Sequence, residues 1–202
     1  FASVLASYAF PASLVGYPDF ATDGITLCVF SQGVAAWCAA GGGALTAITI
    51  SGQSITGGCY FRGYFIAVCQ SGRVYWSADG QTRDALDFAN AEYAGDGLLK
   101  ALPMGNALAL IGTGTTEFWA PTGNPDLPFA PINESVQRIG IQASYAATQI
   151  AGQVFVWGQF DQSTWGLYTF DGSNPVRLST GDIERALGST GPFQLSGFVL
   201  ND

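Results

Sequence analysis

The sequence contains no histidine and a single methionine, and charged residues make up only 11% of its 202 positions. Without histidine the chain alone cannot supply a Ser-His-Asp or Cys-His centre, or an imidazole-ligated metal. Cations are scarcer than anions: seven Lys and Arg stand against fifteen Asp and Glu, a net charge of −8. An electrostatic grip on nucleic-acid phosphates needs a row of cations, so that function class is not expected. Charge is absent altogether from Ile25 to Phe61. That stretch is broken by Ser31-Gln32-Gly33, Gly41-Gly42-Gly43 and Ser51-Gly52-Gln53, and its pattern recurs later with charges present, so no membrane span is expected. No basic run precedes the Ala-rich opening, which argues against a signal peptide, and a start at Phe1 reads as processed or truncated.

What is present is apolar: 48% hydrophobic and 13% aromatic residues, with 27 glycines. This composition belongs to a folded chain, because disordered segments lack branched and aromatic residues. The length suits one domain or part of a larger one. The four cysteines, Cys28, Cys38, Cys59 and Cys69, have no zinc-ligand spacing, and they read as buried free thiols.

Aligning glycines exposes a repeat. GITLCVFSQGVAAW runs from Gly24 to Trp37, GYFIAVCQSGRVYW from Gly63 to Trp76, and GNALALIGTGTTEFW from Gly105 to Trp119. A looser copy starts at Gly152 and has a longer turn around Asp161 to Thr164. Each copy reads as a β-hairpin: an apolar strand, a Gly-containing turn such as Gln32-Gly33 or Ser71-Gly72, and a returning aromatic strand. In this register Cys28 faces Trp37, which sends Cys28 and Cys38 to opposite faces and disfavours a disulfide between them. The hairpins lie near 24–39, 63–78, 105–120 and 152–172, and the starts are 39, 42 and 47 residues apart. That period is the length of a four-stranded propeller blade, ~40–50 residues. The fold class is therefore all-β, with about four blades of a β-propeller. Residues 1–202 are expected to form one propeller region, the C-terminal portion of a larger ring.

Between hairpins, Thr46 to Ile55 reads as an edge strand, and Asp79-Gly80 and Asp171-Gly172 as turns. Thr180 followed by Asp182 to Leu187 and Gly188 reads as a short capped helix. The remaining catalytic class is a carboxylate pair, drawn from Asp79, Asp84, Asp87, Glu92 and Asp96. Asp79 reads as a turn residue, and Asp84 and Asp87 as a solvated rim around Leu86-Phe88. The cluster also lacks a calcium-loop spacing. Gly112-Thr113-Gly114-Thr115-Thr116 has no lysine and no following helix, so it reads as a hairpin turn rather than a phosphate loop. No catalytic residue, cofactor or metal is assigned. The competing reading is a carbohydrate-binding or glycan-cleaving propeller that uses Asp84 and Asp87.

Three stretches carry a further resemblance: Asp84 to Trp119, Pro121 to Gly158 and Gly166 to Leu187. They contain the run Asp87-Phe88-Ala89-Asn90-Ala91-Glu92, the loop with Thr122-Gly123 and Pro128-Phe129, and the late motif of Asn174, Pro175, Arg177, Ser179, Thr180, Ile183 and Glu184. In this ordered series the chain resembles the packaged-DNA stabilisation or tail-hub (nozzle) proteins of short-tailed phages. The resemblance implies a virion structural protein of the tail, assembled in the host cytoplasm. It implies copies arranged as a ring, expected to be a hexamer, below the portal and adaptor and above distal tail proteins. Double-stranded DNA would pass through this ring without sequence-specific binding. The Pro-rich loop from Pro121 to Pro131, with Leu127, Pro128 and Phe129 as its apolar centre, is the expected partner-facing element.

Overall fold

The computed structural model describes residues 17–31, 33–39, 41–81, 88–91, 95–161, 164–187, 193–197 and 199. The first sheet holds β1 (Asp19–Thr22), β2 (Thr26–Ser31), β3 (Val34–Ala39) and β4 (Thr46–Ile48), each hydrogen-bonded to the next. The second repeats this order with β5 (Ile55–Phe61), β6 (Tyr64–Cys69), β7 (Arg73–Ser77) and β8 (Phe88–Asn90). The third holds β9 (Leu98–Met104), β10 (Ala107–Gly112), β11 (Thr116–Asn124) and β12 (Leu127–Pro131). The fourth combines β13 (Ile139–Gly140), β14 (Ala147–Ile150), β15 (Gln153–Phe160), β16 (Thr164–Asp171) and β17 (Asn174–Arg177). Here β13 and β14 both pair with β15, so the innermost strand is split in two. Every described pairing is antiparallel, as expected for propeller blades.

The repeat maps onto the two central strands of each blade, together with the turns on either side. Gly24, Gly63, Gly105 and Gly152 all take a positive φ, from 59° to 91°, at the turn into the second strand. Gly33 and Gly72 do the same at the next turn, where any side chain would be strained. The β2–β3 register places Cys28 opposite Trp37 as expected, and all four cysteines are buried and free. Thr46 to Ile55 is not one strand. Only Thr46–Ile48 pairs, and Ser51-Gly52 turns the chain, with Gly52 at φ 70°, so that Ile55 opens the next blade. The late helix α1 (Gly181–Leu187) has Asp182 and Glu184 in its first turn and Arg185 in its last. Gly188, expected to end it, lies outside the described residues.

Three apolar layers separate the four sheets. Phe30, Phe65 and Tyr75 fill the first, Leu108, Leu110 and Trp119 the second, and Phe118, Val156 and Phe170 the third. Fully burying side chains of this size contributes roughly 1.5–3 kcal/mol each. In the second and third sheets both faces of a central strand are consumed in this way, which explains its continuous apolar runs.

The inner strands approach closely at Gly57-Gly58 on β5. A Cβ at Gly57 would stand 2.9 Å from both the Asp19 carboxylate of β1 and the Leu99 carbonyl of β9. One at Gly58 would stand 2.7 Å from the Phe30 ring. Across this bare backbone the Lys100 ammonium of β9 donates to the Asp19 carboxylate, and both side chains are only 11% exposed. The Thr56 hydroxyl adds a bond to the Leu98 carbonyl at 2.7 Å. Burial pushes the Asp19 carboxyl above its ordinary value despite the Lys100 charge. Burial, with Asp19 nearby, likewise pushes up the Cys59 thiol, and burial raises Cys69 to about 11, so both thiols stay protonated and inert at neutral pH.

Two outcomes test this arrangement. Gly58→Ala should lower unfolding stability by about 1–3 kcal/mol in chemical denaturation, because the added methyl overpacks a close contact. Lys100→Met leaves Asp19 as a buried carboxylate without its cation, at a cost of roughly 3 kcal/mol at neutral pH. Asp19 protonates more readily in the folded chain than in the unfolded one, so the Lys100→Met deficit should shrink as pH falls from the raised folded-state value towards 3.8, the ordinary Asp value, and change no further below it. Adding Asp19→Asn should recover most of the loss. A double variant no more stable than Lys100→Met contradicts the pairing.

Candidate partner-facing site

Strand β11 runs for nine residues, and its last four, Pro121–Asn124, project beyond the blade into solvent. The projecting hairpin is closed locally: the Asp126 amide donates to the Asn124 side chain at 3.0 Å, and the Asn124 amide to the Thr122 hydroxyl at 3.0 Å. The Thr122 hydroxyl in turn donates to the Leu127 carbonyl. The expected triad of Leu127, Pro128 and Phe129 divides between two environments. Leu127 is 42% exposed, whereas Pro128 is buried and Phe129 is 1% exposed. The Phe129 ring stacks on Phe61 (centroids 5.7 Å apart) and meets Tyr64 edge-on (5.8 Å), so it spaces the second and third blades. Leu127 is thus the member that faces outward.

Clefts flank this hairpin. One, of about 200 Å³, is walled by Arg62, Tyr64, Pro121, Asn124, Pro125 and Pro128. The other, of about 370 Å³, is apolar and lies beside Phe88, Trp119 and Leu127. Arg62 sits at φ 51° in the two-residue turn with Gly63, and its guanidinium donates to the Asn106 side-chain oxygen in the corresponding turn of the third blade. Ala151 holds the same strained position, φ 50°, in the fourth blade. The backbone strain is therefore a demand of the turn, and only the side chain distinguishes Arg62. The sequence signals Arg62 by one feature: it is the first charge after the uncharged run from Ile25 to Phe61.

The acidic candidates are dispersed into structural roles where they are described. The Asp79 carboxylate accepts from the Ser77 hydroxyl and the Gln81 amide, both at 2.8 Å, and so holds a turn. Asp96 accepts from the Gly114 and Thr115 amides (2.6 and 2.9 Å) and from the Thr115 hydroxyl (2.9 Å). Two backbone donors of the Gly112–Thr116 loop are thereby directed at the chain's own carboxylate, and the other three donate to backbone carbonyls. Asp84, Asp87 and Glu92 lie outside the described residues. Sequence reading missed the buried Glu117, which accepts from the Trp119 indole at 3.1 Å. Among the described residues no group of three or more His, Cys, Asp or Glu is placed to hold a metal ion, and no helix is long and apolar enough to cross a membrane.

Near the end of the chain, Arg177 pairs with Glu184, and Glu184 also accepts from the Ser179 hydroxyl. These bonds hold the Glu184 carboxyl below its ordinary value, the Ser179 hydroxyl foremost, and latch α1 beside β17. The late motif is thus a polar clasp.

Solved structures share the fold at low identity. The computationally designed Ika4 protein aligns with a TM-score of 0.53 at 13% identity, covering 85% of this chain and all of that one. BamB from Moraxella catarrhalis gives 0.50 at 15% identity, over 75% of this chain and 45% of that one. Hsv2 from Kluyvelomyces marxianus gives 0.50 at 9%, over 79% and 49%. The chain thus spans about half the length of these two natural proteins. No curated protein matches it. A family model described as Bacteriophage P22 Gp10, beta-propeller matches residues 19–202, all four blades and the clasp. By that match the chain belongs to the phage stabilisation family and is a phage structural β-propeller protein.

Proposed function

We propose that this chain is the propeller portion of a tail-hub (nozzle) subunit that follows the portal and adaptor, retains packaged DNA and forms part of the ejection conduit. The observation that carries this reading is the family match over residues 19–202. The role is mechanical, without catalysis or a cofactor. Blades packed through three apolar layers make a stiff block, suited to a seal that bears load. The net charge of −8 suits a wall beside a DNA path, because like charge keeps the duplex from adhering. The four blades are read as the C-terminal part of a larger propeller. The copies form a ring, proposed as a hexamer in the virion tail, assembled in the host cytoplasm, with distal tail proteins beyond it. The projecting hairpin around Leu127 faces a neighbour in that assembly.

Reconstitution tests the reading. DNA-filled heads that carry portal and adaptor but lack this protein should leak nuclease-accessible DNA. Addition of the full-length protein should suppress the leak and place a six-fold ring at the vertex in particle images. Leakage unchanged by saturating protein, with no added density at the vertex, contradicts the role.

A further inference from the structure

Two charges of opposite sign at turns, the half-buried Asp23 and the exposed Arg62, form no ion pair among the described residues. Asp23 lies in the turn between β1 and β2. Its carboxylate accepts from the Thr26 and Ile25 amides at 2.6 and 2.8 Å, which holds it below the ordinary carboxylate range and ionised at neutral pH. Beside it stands the apolar side chain of Ile25, 77% exposed. Arg62 occupies the matching turn of the next blade. Its guanidinium has the neutral Asn106 as hydrogen-bond partner, and it opens onto the cleft with Tyr64, Pro121 and Pro128. Leu127 is the exposed apolar residue of the adjoining hairpin.

We propose that the Asp23 turn of one copy docks at the Arg62 cleft of a second copy. The inference rests on the reading above that copies assemble with one another. One surface offers an anion with apolar flanks, and the other offers a cation with apolar walls. The chemistry is complementary, and Asp23 and Arg62 are not joined within a chain. Overall charge gives the contact its importance. Two copies at −8 each repel, so lasting association needs a local meeting of opposite charges over apolar contact. Ile25 would supply the apolar area against the proline-lined cleft and Leu127. The charge pair would set register and partner choice.

Sedimentation of the full-length protein across a range of salt concentrations tests the contact. Asp23→Arg and Arg62→Asp should each weaken self-association at least about fivefold, since each puts like charges opposite one another. The double swap Asp23→Arg/Arg62→Asp should restore most of it. Ile25→Ser should weaken association without changing its salt dependence. Single reversals that leave assembly intact overturn the contact while the ring reading stands. Reversals that weaken assembly without rescue by the swap overturn the Asp23–Arg62 pairing. A wild-type chain that stays monomeric at all concentrations overturns both this contact and the ring reading.

Discussion

The closeness of the inner strands at Gly57-Gly58 is the constraint on which the rest of the structure depends. Only a backbone without side chains lets β1 and β9 approach β5 from either side, and Asp19 and Lys100 then meet across it. The pair joins residues 81 positions apart, from the first and third blades. Thr56 ties β5 to β9 at the same level, at 2.7 Å. Burial of the two charges makes this junction sensitive to the loss of the cation but a weak source of net stability. Its contribution is alignment: three blades are held in one relative position from which the apolar layers fan outward.

Those layers explain the scarcity of charge that marks the sequence. A blade between two neighbours has no solvent face on its central strands, so residues such as Val68 and Leu110 are fully buried, and the one buried acid described there, Glu117, is held by the Trp119 indole. With Asp19, Arg73, Lys100 and Glu117 as exceptions on strands, most charge among the described residues lies at turns, hairpin tips and the terminal helix. There it does local work: Asp79 and Asp96 fasten turns, and Glu184 clasps α1. Asp23 and Arg62 are likewise at turns, and their surroundings suit contact with another surface. A stiff block is the form this phage structural protein takes.

Much of this was legible in the sequence because it depends on local rules. Gly33 and Gly72 announce their turns since positive φ is costly for other residues, and the Cys28–Trp37 register follows once the turn is placed. The helix was legible from its acidic first turn and its basic end. Thr46 to Ile55 misled because its alternation of apolar and polar residues continues through a Ser-Gly turn that divides it between two blades. The Asp19–Lys100 pair and the Arg62 cleft were not legible, because their parts come from different blades and no local spacing connects them. Phe129 looked like an outward anchor beside two prolines; its position opposite Phe61 and Tyr64 depends on how blades stack.

The central claim is that the inner strands lock the blades into one block rather than a string of separable sheets. Native-state hydrogen exchange measures this directly. The account predicts that amides of β5 and β9 exchange last and together, with the free energy of global unfolding, while β12, β17 and α1 open earlier. Successive release blade by blade, with β5 and β9 exchanging at different free energies, would contradict it.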